Sequence, residues 1–205
     1  NLWTCYRKGF TLSEVPKTAN ARIAVDSKYW LWVNGRMAVR EGALKRGPNP
    51  QDTYFDVVDL APYLKTGGNT IAVLAWYWGK DGFSHKSSGK PGFLFEMEAG
   101  DARILSDPSW RTLRHPAFGE AGNTPNFRLA ESSVHFDARK DPTGWMDSGF
   151  DDGAWASAVG FGAPPAAPWN RLWQREVPQW KDFGLKDYVN AAELPKQGGE
   201  TAITA

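Results

Sequence analysis

The residue types able to do chemistry are spread thinly along this sequence. Asp151-Asp152 is an adjacent carboxylate pair of the kind that could serve general acid–base work. Sequence neighbours at a turn point in different directions, however, and acidic residues there more simply cap the start of a helix. The pair reads as structural. Glu96 and Glu98 share one parity of the alternating stretch Phe93 to Ala99, which places both on the solvent face of a strand. His85, His115 and His135 show neither HExxH nor paired spacing, so a zinc site is not expected. Serine chemistry lacks a GxSxG elbow. Gly67-Gly68 is followed by neither the Lys-Ser/Thr nor the GxGxxG arrangement that cradles phosphate. No cofactor is expected; a structural calcium, with no ligands assigned, is left open because aspartates are numerous while the spaced DxDxDG loop is absent.

Sugar recognition is the chemistry with the best local setting. The flat ring of a tryptophan stacks on the axial C–H groups of a pyranose, while nearby polar groups hydrogen-bond its hydroxyls. Trp78, Asp81, Phe83 and His85 stand at the mouth of a long Gly, Ser and Lys-rich loop, Gly79 to Pro91, and are the candidate sugar-binding residues. Core packing is the competing role for every tryptophan. Trp30 and Trp32 share one strand face, as do Trp76 and Trp78.

The elements that must position these groups are strands. Cys5 to Leu12, Ala21 to Val25, Tyr29 to Val33, Thr53 to Val58, Phe93 to Ala99, Arg103 to Ser106 and Val134 to Ala138 all carry strand composition, with turn residues between them. Asn34-Gly35 supplies the two positive φ angles of a tight hairpin, which folds Arg36 to Val39 back on Trp30 to Val33. Thr70 to Trp78 is apolar on both parities, as a central strand covered on both sides must be. Helix is confined to short stretches, near Asp59 to Leu64 and near Asp151 to Ala158, with Gly67-Gly68-Asn69 breaking the first. This pattern predicts an all-β chain, a β-sandwich or jelly roll with one or two short helical turns.

Composition excludes more than it assigns. Twenty-four Lys and Arg against 23 Asp and Glu leave a formal charge of +1, so no overall field draws in nucleic acid. The longest apolar run, Ile71 to Trp78, is far shorter than the roughly 20 residues of a membrane-spanning helix. A single cysteine, Cys5, excludes an internal disulfide. The chain opens at Asn1 and closes on KQGGETAITA with no helical stripe, and both ends read as those of a piece of a larger protein.

Four ordered motifs resemble one family. ARIAVDSKYWLWVNGRMAV with TYFDVVDLAPYLKTGGNTIAVLAWYWG resembles the N-terminal jelly-roll, galactose-binding-like domain of bacterial α-L-rhamnosidases. ILSDPSWR, SSVHFDARKDPTGWMDSGFDDGAWASA and WNRLWQREVP are similar to its later segments. One departure is Ser133-Val134, where many relatives carry Gly-Glu; Glu131 stands earlier here. The resemblance makes Trp110, Trp145 and Trp155 core plugs at element ends. It implies a sandwich over residues 1–162, followed by a connector and the start of the next domain over 163–205. In the family, two carboxyl groups on a separate helical barrel hydrolyse terminal α-L-rhamnosyl linkages with inversion, a geometry that holds the two apart for a water. This chain has no such barrel, so the resemblance implies a non-catalytic domain that touches a catalytic domain of the same protein and contacts rhamnose-containing glycans. Export to the periplasm or cell surface is the family's habit. The alternatives are a stand-alone carbohydrate-binding module, the related sandwich of a β-galactosidase or β-glucuronidase, and an interaction domain of an unrelated surface protein.

Overall fold

A computed structural model describes residues 1–42, 47–81, 86–120, 134–181 and 183–184. Its spine is the antiparallel pair of β1 (Leu2–Leu12) and β6 (Gly67–Tyr77), in register from Leu2 opposite Tyr77 to Leu12 opposite Gly67. Around it lie β2 (Asn20–Asp26), β3 (Lys28–Val33), β4 (Arg36–Gly42), β5 (Thr53–Asp59), β7 (Gly92–Ala99) and β8 (Ala102–Leu105). Shorter strands follow: β9 (Arg111–Arg114), β10 (Phe118–Glu120), β11 (Val134–Phe136), β12 (Ala156–Ser157) and β13 (Leu172–Gln174). One sheet has the order β12-β9-β1-β6-β3-β4 and the other β13-β5-β2-β7-β8, while β10 and β11 form a separate hairpin. The chain is therefore the β-sandwich that the strand pattern predicts.

Strand periodicity explains why there are two cores. Alternate residues of a strand face opposite sides of its sheet, and β6 uses both. Ile71, Val73 and Ala75 join Tyr29, Leu31, Ile23, Phe95 and Met97 in the core between the sheets. Ala72, Leu74 and Trp76 point the other way, into a second core with Trp3, Cys5 and Trp32. That outer core is roofed by the chain that follows β11, through Trp145, Met146, Phe150 and Trp155. Trp32 and Trp145 meet edge to face at 5.6 Å between ring centroids. Trp110 closes the inner core, its rings set against Phe93 and Phe95 at 4.9 and 5.5 Å. Trp110, Trp145 and Trp155 are all buried, as plugs at element ends should be.

One charged residue holds the roof down. Arg7 has the parity of Trp3 and Cys5, so it points into the outer core, where only 3 % of it is exposed. Its Nε donates to Asp152 Oδ2 at 2.9 Å, and its terminal nitrogens donate to the carbonyls of Trp145, Asp147 and Phe150. The guanidinium also lies 5.2 Å from the centre of the Phe150 ring.

The hairpin turn is bound to the same roof. Asn34 and Gly35 have φ of 53° and 78°, the left-handed pair that the sequence calls for. Asn34 Oδ1 accepts from the Thr70 amide and from Ser148 Oγ, both at 3.0 Å. A Cβ at position 35 would fall 2.3 Å from Asp147 Oδ1, so glycine is required for space as well as for conformation.

Several sequence expectations need correction. The stretch Asp151 to Ala158 is no helix. Asp151 Oδ1 accepts from the Gly153 amide at 2.9 Å, the Trp155 amide bonds to the Asp152 carbonyl, and Ala156–Ser157 then pairs with β9 as a strand. A single turn closed by an aspartate, with the Trp155 ring buried, replaces a helix too short to nucleate. Gly67-Gly68-Asn69 breaks nothing, because these residues already pair with Leu12, Thr11 and Phe10. Strands β2 and β3, separated by Ser27 alone, belong to different sheets. The 3₁₀ turn at Ala61–Tyr63 stands where the sequence places a helical turn.

Replacing Arg7 by Met keeps bulk but leaves Asp152 and three carbonyls without their donor. We expect a loss of about 3 kcal/mol, the usual scale for removing one partner of a buried charged network, read from the urea midpoint. An unchanged midpoint would show that the roof is held by its aromatic rings alone.

Candidate functional site

The loop singled out for sugar binding is anchored at both feet by Asp26-Ser27. Asp26 is fully buried; its carboxylate accepts from Ser27 Oγ at 2.9 Å and from the Ser88 amide at 2.7 Å. Ser27 Oγ in turn accepts from the Trp78 amide at 3.1 Å. The end of β6 and the far side of the loop are thus tied to one carboxylate. Trp78 itself is only 6 % exposed and belongs to the outer core, so its ring is engaged in packing. Asp81 accepts from Lys86 Nζ and from the Ser87 amide, the latter at 3.0 Å, which closes the loop on itself. Phe83 and His85 lie outside the described residues. Of the four candidates, the structure therefore places one in the core and one in a loop-closing network.

Glu96, Asp56 and Asp52 have structural partners. Glu96 accepts from Arg22 and Arg103 at 3.3 and 3.2 Å, on the outer face of the five-stranded sheet. Asp56 is buried; it accepts from Tyr29 Oη at 2.7 Å and from Arg175 Nε at 2.6 Å. Burial, with the Asp56 carboxylate beside it, pushes the Tyr29 phenol well above its ordinary range. Burial likewise raises the Cys5 thiol, which keeps it protonated and unreactive. Among the described residues, no three or more His, Cys, Asp or Glu gather as metal ligands do.

Within residues 163–205, read from sequence as a connector and the start of the next domain, residues 169–175 bond to the sandwich. β13 pairs parallel with β5, Leu172 to Thr53 and Gln174 to Phe55. Trp169 is buried, its carbonyl accepts from Thr53 Oγ1 at 2.7 Å, and Trp173 Nε1 donates to Asp52 Oδ2 at 2.9 Å. The latter bond, with one from Asn49, holds the Asp52 carboxyl below the usual range.

Sequence reasoning missed Arg7, Asp26 and Asp56. Each is a charged residue buried within a strand, and for Arg7 the shared parity with Trp3 and Cys5 was a usable signal. Their partners, 145 residues away for the Arg7–Asp152 pair, carried none.

The fold agrees with that of known proteins. The family model for the alpha-L-rhamnosidase N-terminal domain matches residues 14–176, and the chain belongs to that family. An alpha-L-rhamnosidase of Streptomyces avermitilis is 29 % identical over 119 residues, which is 52 % of this chain and 10 % of that protein. A GH78 family rhamnosidase of Bacillus sp. GL1 superposes with a TM-score of 0.74 at 31 % identity, over 87 % of this chain and 19 % of its own. The crystal structure of the Streptomyces avermitilis alpha-L-rhamnosidase complexed with L-rhamnose gives a TM-score of 0.59 at 26 % identity, over 76 % of this chain and 16 % of that one. The chain therefore spans between a tenth and a fifth of the length of these relatives.

His115 supplies a pH test. It is buried; Nδ1 accepts from the Ala117 amide at 3.2 Å, and Nε2 lies 3.2 Å from Asp141 Oδ1. Burial holds the imidazole below its ordinary value of 6.5, against the opposing pull of Asp141. The unfolded chain thus binds this proton more tightly than the folded one. The stability tied to neutral His115 is complete above 6.5 and is lost as pH falls through the lower folded value. Urea midpoints taken from about pH 7 down to about pH 5 should fall more steeply in the parent than in His115→Gln; parallel slopes would refute this.

Proposed function

We propose that this chain is a non-catalytic accessory β-sandwich of an α-L-rhamnosidase-type glycoside hydrolase, set against a catalytic domain of the same protein and contacting rhamnose-containing glycans. The carrying observation is the state of its buried carboxylates. Inverting hydrolysis needs an acid and a base facing each other across a water, open to substrate. Here the buried Asp26 and Asp56 and the half-buried Asp152 instead accept from Ser27 and Ser88, from Tyr29 and Arg175, and from Arg7. Such carboxylates bind strands and roof together.

Two further facts support the reading. The family match concerns an N-terminal domain, and the chain covers under a fifth of the Bacillus enzyme. Past β13, the chain carries Val177, Trp180 and Phe183 with most of their surface exposed, and large apolar groups left exposed so near one another in sequence suit a segment that meets another body. A relative was crystallised with L-rhamnose, which makes that sugar the first to try.

Incubated with an aryl α-L-rhamnoside, this chain should release no phenol above the uncatalysed background. Turnover that survives repurification and depends on a named carboxylate would overturn the reading.

A further inference from the structure

Hairpin β10–β11 is the least secured piece of the sandwich. Its strands have three residues each and, among the described residues, pair only with each other, not with a strand of either large sheet. A hairpin of that size has little stability of its own. Ring contacts hold it in place: Phe118 stacks on Trp3 at 4.0 Å between centroids, and Phe136, half exposed, lies 4.8 Å from Phe118. Under that stack the Trp3 indole nitrogen is buried with no hydrogen-bond partner, so the closed position carries an unsatisfied donor.

The polar tie is His115. Its amide donates to the Trp3 carbonyl at 2.9 Å, which fixes it to β1, and its buried ring stands edge-on to Phe118 and Trp145 at 4.8 and 6.4 Å. Nδ1 accepts from the Ala117 amide at 3.2 Å, and the Ala117 carbonyl accepts from the Asp137 amide at 2.9 Å, where the hairpin closes. A ring nitrogen that accepts carries no proton, so the single proton of the neutral imidazole sits on Nε2, 3.2 Å from Asp141 Oδ1. A second proton has only Nδ1 to enter, where it would face the N–H of Ala117, donor against donor.

We propose that His115 is an acid-operated latch, whose protonation frees hairpin β10–β11 from Trp3 while the two large sheets stay paired. Once the hairpin lifts, water reaches both Nδ1 and the Trp3 indole nitrogen. The hydrated imidazole takes its proton at the ordinary value, whereas burial holds the closed one lower, so falling pH favours release. Asp141 opposes release by favouring the charged ring. The other charges around the latch are engaged elsewhere or face water. Arg7 bonds to Asp152 and the roof carbonyls, and Arg139 and Lys140 pair with Asp137. Arg114, Glu120 and His135 are exposed, and Cys5 on β1 is a thiol that burial keeps protonated.

The test is amide exchange followed by NMR on this chain, corrected for intrinsic rates, at about pH 7 and about pH 5, the range over which histidines ordinarily change charge. Amides of residues 118–120 and 134–137 should lose protection at the lower pH, and the Trp3 indole proton should exchange faster, while amides of β1 and β6 keep theirs. His115→Gln retains a donor and an acceptor but takes up no proton, and it should remove the pH dependence. Asp141→Asn removes the charge that favours the protonated ring in the closed position, and it should enlarge the loss; this second variant carries the test even where His115→Gln does not fold. Equal hairpin protection at both pH values in the parent would overturn the latch, as would a loss that His115→Gln leaves intact or that Asp141→Asn reduces. Loss of protection in β1 and β6 together with the hairpin would make His115 a support of the whole sandwich and would also end the proposal.

Discussion

Everything on the outer side of the six-stranded sheet depends on one buried guanidinium. A strand residue facing an apolar layer is ordinarily apolar, and a lone charge there would be costly. Arg7 is tolerated because the roof it touches has no regular structure. The turns around Trp145, Asp147 and Phe150 expose carbonyls toward the sheet that no ladder could satisfy, and a planar fork of donors reaches all three together with Asp152. Cation and irregular loop thus answer each other's deficit. The aromatic rings of Trp145 and Trp155 then add area to a contact whose polar terms are already closed.

The same logic explains the number of tryptophans. A two-layer sandwich needs one core, and this chain has a second, built on the outer face of a central strand apolar on both sides. Large rings suit that second core because its cover is thin and irregular: a few indoles span gaps that smaller side chains would leave open. Trp78 belongs to this group, which is why its ring packs inside while the polar residues after it close the loop.

What was legible in the sequence was what is set locally. The Asn34-Gly35 hairpin, the alternation of Phe93 to Ala99 and the doubly apolar β6 each follow from neighbours a few residues apart, and all three appear as expected. The Asp151 to Ala158 stretch misled because a capping aspartate is equally at home in an isolated turn, and only the pairing of Ala156–Ser157 with β9 decides between them. β13 was hidden for the same reason: three residues cannot announce a strand, and its partner β5 lies more than a hundred positions earlier. Of the site, the loop was visible as a composition shift.

The Arg7 staple also orders events in time. A chain emerging from its N-terminus makes β1 first, then holds a guanidinium on the outer face of the growing sheet until Asp152 has been synthesised. β5 waits longer still for the residues that cover its edge. Until then, half of a tryptophan-rich surface and one sheet edge stand open, the two features that draw chains into aggregates. A sandwich closed in this way is thereby a fold that matures late and all at once, with each of its layers locked by residues more than a hundred positions after the strand they hold.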